Sequence, residues 1–163
     1  MTGFFYGNNI HPWCEWQKRR DAVIKLSSLL GMNAEIAPYS PAAWLSVMGG
    51  LHDERERGAR CDACFALQFE SAARYAAERD FSYVCTTLSI SPHKDPAVIN
   101  RIGRERAEAA GVGWVERIWR KNDGFRLSVA MSRKMGLYRQ NYCGCVYSAK
   151  RAFEGGEVHE RSA

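Results

Sequence analysis

No stretch of this sequence approaches the roughly 18–20 consecutive apolar residues that cross a bilayer, so no segment reads as a membrane-spanning helix. The opening residues, MTGFFYGNNIHPW, lack the basic and apolar regions of a secretory signal. A cytoplasmic protein that does not bind membranes is the default expectation. There are no internal repeats and no low-complexity tracts. The patterns G-x-x-x-x-G-K-[ST], G-x-G-x-x-G and G-x-S-x-G are missing, as is a serine- and glycine-rich pyrophosphate loop. Neither a P-loop, a dinucleotide fingerprint nor a nucleophile elbow therefore defines an enzyme class here.

What remains is the length of one domain, 163 residues, with 46% hydrophobic and 25% charged residues. That is enough to bury a core without covalent staples. The formal net charge of +5 is uneven: residues 101–139 hold ten lysines and arginines against four acidic residues. Such a stretch either steers a polyanion such as RNA or forms the solvated faces of helices.

The pattern of apolar residues predicts alternating strands and helices. TGFFY reads as a strand ended by GNN, and CEWQKRRDAVIKLSSLLG as a helix with Val23, Leu26, Leu29 and Leu30 at helical spacing and Gly31 as its stop. AEIAPYS reads as a short strand. A short helix follows, opened by Ser40 and Pro41. CDACFALQFESAARYAAER places Phe65, Phe69, Ala72 and Ala76 on one helical face. FSYVCTTLSI, rich in β-branched and aromatic residues, is the clearest strand candidate. After it come a loop entering a helix, a strand over VGWVERIW and a helix over GFRLSVAMSRKMG. This alternation predicts an α/β domain over 1–150, with a mainly parallel sheet covered by helices on both faces. Residues 151–163 read as a polar tail.

Six cysteines without a secretory signal argue for metal or redox chemistry over a disulfide scaffold. Cys61 and Cys64 form C-x-x-C at the start of a helix, where two thiols face one point and the helix end favours the thiolate. Cys143 and Cys145 flank Gly144, which lets the backbone fold tightly so that both sulfurs face one way. By spacing alone four readings stand: structural zinc, an iron–sulfur cluster, a thioredoxin-like redox pair, or buried thiols. Cys85, mid-strand among apolar neighbours, reads as a small buried hydrophobe, and Cys14 as incidental.

Two further clusters carry chemistry. SPHKD (Ser91–Asp95) sits between a strand and a helix, where ligands bind in open α/β sheets. Asp95 is expected to cap that helix with Pro96 at its first position, leaving His93 and Lys94 for a site. GLYRQNYCGC brings Arg139, Gln140, Asn141 and two tyrosines beside the second cysteine pair, residue types that stack on and hydrogen-bond to an unpaired base. His11, held extended before Pro12, either contacts a ligand or closes a turn.

The segments YGNNIHPWCEWQKR, GARCDACF, TTLSISPHKD, INRIG and KNDGFRLSVAMSRKMGLYRQNYCGCVYS together resemble the QueH-type epoxyqueuosine reductases, from about residue 3 to residue 148. The resemblance implies a Rossmann-like fold related to the adenine-nucleotide α-hydrolases. It implies reduction of epoxyqueuosine to queuosine at the wobble position of tRNA, the last step of queuosine synthesis. It also implies a 4Fe–4S cluster with room for an additional iron, a tRNA partner and an electron donor of unknown identity, and it leaves the oligomeric state open. Cys61, Cys64, Cys143 and Cys145 fall on the family's cluster-region cysteines. His93, Lys94 and Asp95 become candidate catalytic residues, and His11, Arg139, Gln140 and Tyr142 candidate substrate-binding residues. Two features depart from the family pattern. The family's first strand and adjacent-cysteine loop, which precede the segment matching TGFFYGNN, are not in this sequence, so a mis-called start or a fragment is the expectation. Gln68 stands where the family usually has arginine. Two rival readings follow, an inactive truncated homologue and a zinc-stabilised RNA-binding domain.

Overall fold

Residues 1–154 are described in the computed structural model of the chain. The chain divides into two compact units, one formed by residues 1–41 with the chain from 137 on, the other by residues 42–136. The elements follow the alternation expected for an α/β protein, with short strands that pair in parallel, two and two among the described residues. The end of the expected tail, from residue 155, lies outside the described residues.

In the first unit, β1 (Thr2–Phe5) and β2 (Asn33–Ile36) pair in parallel, from Thr2 opposite Asn33 to Phe5 opposite Ile36. The crossover between them is α1 (Trp13–Leu30), which Gly31 stops in the left-handed conformation at φ 61°, as glycine readily does. The buried side chains of α1 are Glu15, Trp16 and Arg19. Leu29 and Leu30, expected on its inward stripe, are exposed. A charged pair and a tryptophan thus take the most buried positions, while Val23 and Leu26 are half-buried. Helix α6 (Val146–Glu154) follows the second cysteine pair.

The second unit begins within α2 (Pro41–Gly49), whose Trp44 and Met48 are buried one turn apart. After a polar turn comes α3 (Ala59–Glu78), which packs against α4 (Pro96–Ala109). Phe65 and Phe69 of α3 form one core cluster with Ile99 and Ile102 of α4, and Cys61, Leu88 and Val98 pack at its edge. A second cluster joins Ala73, Ala76, Ala107 and Val112. Small residues there let the helices approach closely, as they do where Gly103 faces Trp114. A Cβ on Gly103 would lie 2.2 Å from the indole ring.

The strand expected over FSYVCTTLSI shrinks to β3 (Tyr83–Val84), and that over VGWVERIW to β4 (Gly113–Trp114), paired in parallel. Local side chains take over the backbone groups that a longer ladder would use. Thr86 Oγ1 accepts from the Leu88 N–H at 3.2 Å, and Ser89 Oγ donates to the Arg117 carbonyl at 2.8 Å. The Trp119 indole donates to the Thr86 carbonyl at 2.7 Å. Cys85, read as buried in that strand, is exposed just past its end. Helix α5 (Gly124–Lys134) completes the unit and buries none of its residues, with Phe125, Leu127 and Met131 exposed.

Candidate metal centre and its flanking loops

Each cysteine pair is built within its own unit. Cys61 and Cys64 lie in the first turns of α3, where C-x-x-C spacing keeps them on one face. Cys61 Sγ accepts the Arg57 backbone N–H at 3.2 Å. Cys64 Sγ accepts the Trp44 indole N–H at 3.3 Å and the Gln68 amide at 3.2 Å. Sulfurs that receive N–H donors in this way are tuned as thiolate ligands are, by hydrogen bonds that stabilise negative charge on the sulfur. Gln68, the position that departs from the family pattern, is therefore in contact with a cysteine sulfur. Arg60, buried beside the pair, donates to the carbonyls of Leu51 and His52 and fixes the turn before α3.

The SPHKD loop belongs to the same unit. Asp95 Oδ1 accepts the Ala97 N–H at 2.8 Å, the cap expected from its sequence, with Pro96 opening α4. Lys94 Nζ sits 5.0 Å above the Phe65 ring, one residue past Cys64. His93 is exposed. A residue that sequence reasoning missed organises this loop: Arg120 donates to the carbonyls of Ser91 at 3.1 Å and Lys94 at 2.7 Å. Its partners are backbone carbonyls, which leave no mark in the sequence.

In the first unit, the turn before α1 meets the loop carrying Cys143 and Cys145. The His11 N–H donates to the Gly144 carbonyl at 2.7 Å, and the Tyr142 hydroxyl donates to the His11 carbonyl. Burial holds His11 below its ordinary value of 6.5, which keeps the imidazole neutral at physiological pH. Arg139 and Gln140 are exposed on the same loop. Beside them, Trp13 and Trp16 stack at 4.5 Å with Tyr39 tilted against both, an aromatic cluster that the spacing of these residues did not announce. Cys145 Sγ accepts the Ser148 N–H at 3.4 Å at the start of α6. Among the described residues, no three His, Cys, Asp or Glu side chains form a set that holds a metal ion. Each cysteine pair is a two-sulfur donor set, chemically suited to soft metals such as iron or zinc.

Tyr138 is drawn into this loop's support. Its hydroxyl donates to Glu15 Oε2 at 2.6 Å, and Lys18 Nζ lies 5.5 Å above its ring. Burial first, then the hydrogen bond and charge of Glu15, push the phenol up to about 12; Arg19 opposes this and Tyr142 adds to it. The folded value stands above the ordinary 10.0, so the stabilisation is complete below pH 10 and is lost as pH rises toward 12. Melting temperatures of wild type and Tyr138→Phe are expected to converge across that interval. A gap unchanged from neutral pH to pH 12 would remove the assigned cause.

Fold and site together define an α/β protein that carries cysteines in two close pairs, one on a helix start and one on a glycine-centred loop. Residues 1–151 match the family described as Epoxyqueuosine reductase QueH. Among curated relatives, the epoxyqueuosine reductase QueH of Histophilus somni is 37% identical over 162 residues, covering 99% of this chain and 67% of the relative. That of Thermotoga maritima is 36% identical, with coverage of 89% and 77%. That of Streptococcus pyogenes is 35% identical, with coverage of 92% and 61%. The chain thus spans about two thirds of the length of these relatives. It belongs to the QueH family of epoxyqueuosine reductases, which are oxidoreductases of the last step of queuosine biosynthesis.

Proposed function

We propose that this chain reduces epoxyqueuosine to queuosine at the wobble position of tRNA, in the cytoplasm, using an iron–sulfur cluster, with the pairs Cys61 and Cys64, and Cys143 and Cys145, each as metal ligands. The observation that carries the reading is the pair of thiols on α3 whose sulfurs receive N–H donors from Arg57, Trp44 and Gln68. Removing the epoxide oxygen and leaving a carbon–carbon double bond takes two electrons and two protons, and the oxygen departs as water. A bound cluster supplies the electrons one at a time, drawn from an external donor.

The chain's own residues bind and supply protons. In this reading His93, exposed, and Lys94, over the Phe65 ring in a loop that Arg120 pins, supply protons to the departing oxygen. The Asp95 carboxylate is engaged in capping α4, so its role is to fix the loop. Arg139 and Gln140 offer exposed donors to an unpaired base. Tyr142 and His11 hold the loop backbone through their mutual hydrogen bond.

The basic stretch is partly spent on surface ion pairs: Arg101 with Asp62 and Glu105, Arg104 with Glu116, Arg126 with Asp123. Arg133 and Lys134, exposed at the end of α5, would meet tRNA phosphates in this reading.

The test is anaerobic reconstitution followed by elemental analysis and an assay on RNA carrying epoxyqueuosine. Bound iron, a thiolate-to-iron absorption band and formation of queuosine are expected. Zinc without reduction would replace this reading with the RNA-binding one, and iron without reduction would leave a cluster protein of another activity.

A further inference from the structure

The Cys143–Gly144–Cys145 loop is held by a buried charge pair that faces its backbone. Four consecutive carbonyls, from residue 142 to residue 145, all accept hydrogen bonds. Arg19 Nη2 donates to the Tyr142 carbonyl at 3.0 Å and Nη1 to the Cys143 carbonyl at 2.9 Å. The His11 N–H takes the Gly144 carbonyl at 2.7 Å, and the Ala149 N–H takes that of Cys145 at 2.9 Å. With every peptide plane oriented in this way, the directions of the two Cα–Cβ bonds are set as well.

Arg19 is itself positioned. Its Nε donates to Glu15 Oε1 at 2.8 Å one turn earlier on α1, and both side chains are more than nine-tenths buried. The second carboxylate oxygen of Glu15 accepts the Tyr138 hydroxyl. The guanidinium also lies 5.4 Å from the Tyr142 ring centroid. Gly144, at φ 116°, is the residue that lets the guanidinium in: a Cβ there would stand 2.9 Å from Arg19 Nη1. A buried ion pair is a weak source of stability, because desolvation offsets much of its attraction, but removing one partner strands the other. Its value lies in geometry. The planar fork of arginine grips two adjacent carbonyls in a way that a lysine ammonium does not.

We propose that Glu15, Arg19 and Tyr138 form a positioning network, with Arg19 at its centre, that holds the Cys143–Gly144–Cys145 backbone in its ligand-presenting conformation before any metal arrives. The inference rests on the reading of Cys143 and Cys145 as ligands, and it concerns the metal-free chain. Preorganised ligands bind metal without the cost of ordering a loop.

The experiment uses the full chain, metal-free and anaerobic, as wild type, Arg19→Lys and Tyr138→Phe. Iodoacetamide labelling resolved by peptide mass spectrometry gives an alkylation rate for each cysteine, and cobalt titration reads the thiolate-to-metal absorption band. In Arg19→Lys, Cys143 and Cys145 are expected to react about tenfold faster, the factor for losing one hydrogen bond to a charged group. Cys61 and Cys64 should keep their rates, and the cobalt band should be weaker. Tyr138→Phe should change the same two cysteines by less, and it decides the matter alone should Arg19→Lys fail to fold. Unchanged rates at Cys143 and Cys145 in folded variants overturn the proposal. So does equal acceleration of all four cysteines, which marks general loosening of the chain. Selective acceleration in a protein whose wild type retains neither cobalt nor iron leaves the positioning in place and removes the ligand reading.

Discussion

Replacing Cys64 with serine is expected to leave the chain folded, remove most of its iron after reconstitution, and lower the reduction of epoxyqueuosine by roughly a hundredfold or more. Losing even a group that supports a ligand typically costs 10- to 100-fold. The argument starts from donor softness: a serine oxygen is a hard donor that does not replace thiolate toward iron. The fold tolerates the change because Cys64 lies at the start of α3, outside the cluster of Phe65, Phe69, Ile99 and Ile102. The Trp44 indole and the Gln68 amide, 3.3 and 3.2 Å from the sulfur, can still donate to a hydroxyl at this position. Cys85→Ser is the matched control, since Cys85 is exposed and belongs to neither pair. Iron content, absorption spectrum and turnover check the outcome together. Full iron and full turnover in Cys64→Ser would end its assignment as a ligand. Full iron with lost turnover would move Cys64 from ligation to the chemistry itself.

The candidate site was legible where function sits on side-chain identity at short spacing. C-x-x-C at a helix start, C-G-C around a left-handed glycine and a capping Asp95 before Pro96 each announce themselves within five residues. Arg19, Arg120 and Arg60 were not legible, because all three donate to backbone carbonyls, and a carbonyl carries no residue type. In the sequence each reads as one more solvated charge, whereas Arg19 and Arg60 are buried. The fold was read correctly in class and misread in extent, and helix α6 (Val146–Glu154) runs into what reads as a polar tail. FSYVCTTLSI has strand propensity along its length, yet Thr86 and Ser89 satisfy nearby backbone groups and end the ladder after Val84. Propensity describes a pleated, half-buried surface, and it yields where hydroxyls offer the backbone another set of partners. On α1 the error ran the other way. Leu29 and Leu30 fit a helical stripe, but the inward face of that helix serves the cysteine loop, so a charged pair and Trp16 occupy it.

The largest loss of stability is expected from Phe69→Ala, about 3–5 kcal/mol, the range for truncating a buried phenylalanine. Phe69 is 4% exposed and stacks on Phe65 at 6.1 Å, and its other aromatic neighbour is the Trp114 ring, tilted at 5.1 Å. The cavity cannot close easily. Ile99 behind it is fully buried, and Trp114 is held in place by an indole hydrogen bond to Asn100 at 3.0 Å and by the close approach of Gly103. A chain of this length shifts its melting temperature by roughly 2–4 °C for each kcal/mol, so a fall of about 10 °C is the expected reading. The effect on the site is expected to be indirect but measurable. Cys61 packs against this same cluster and Lys94 lies over Phe65, so loosening the α3–α4 contact frees both from one side. Well below the variant's melting temperature, alkylation of Cys61 should therefore accelerate while that of Cys143 does not, because Cys143 belongs to the other unit. A melting temperature within a degree or so of wild type would mean that the α3–α4 contact is not where this unit keeps its stability.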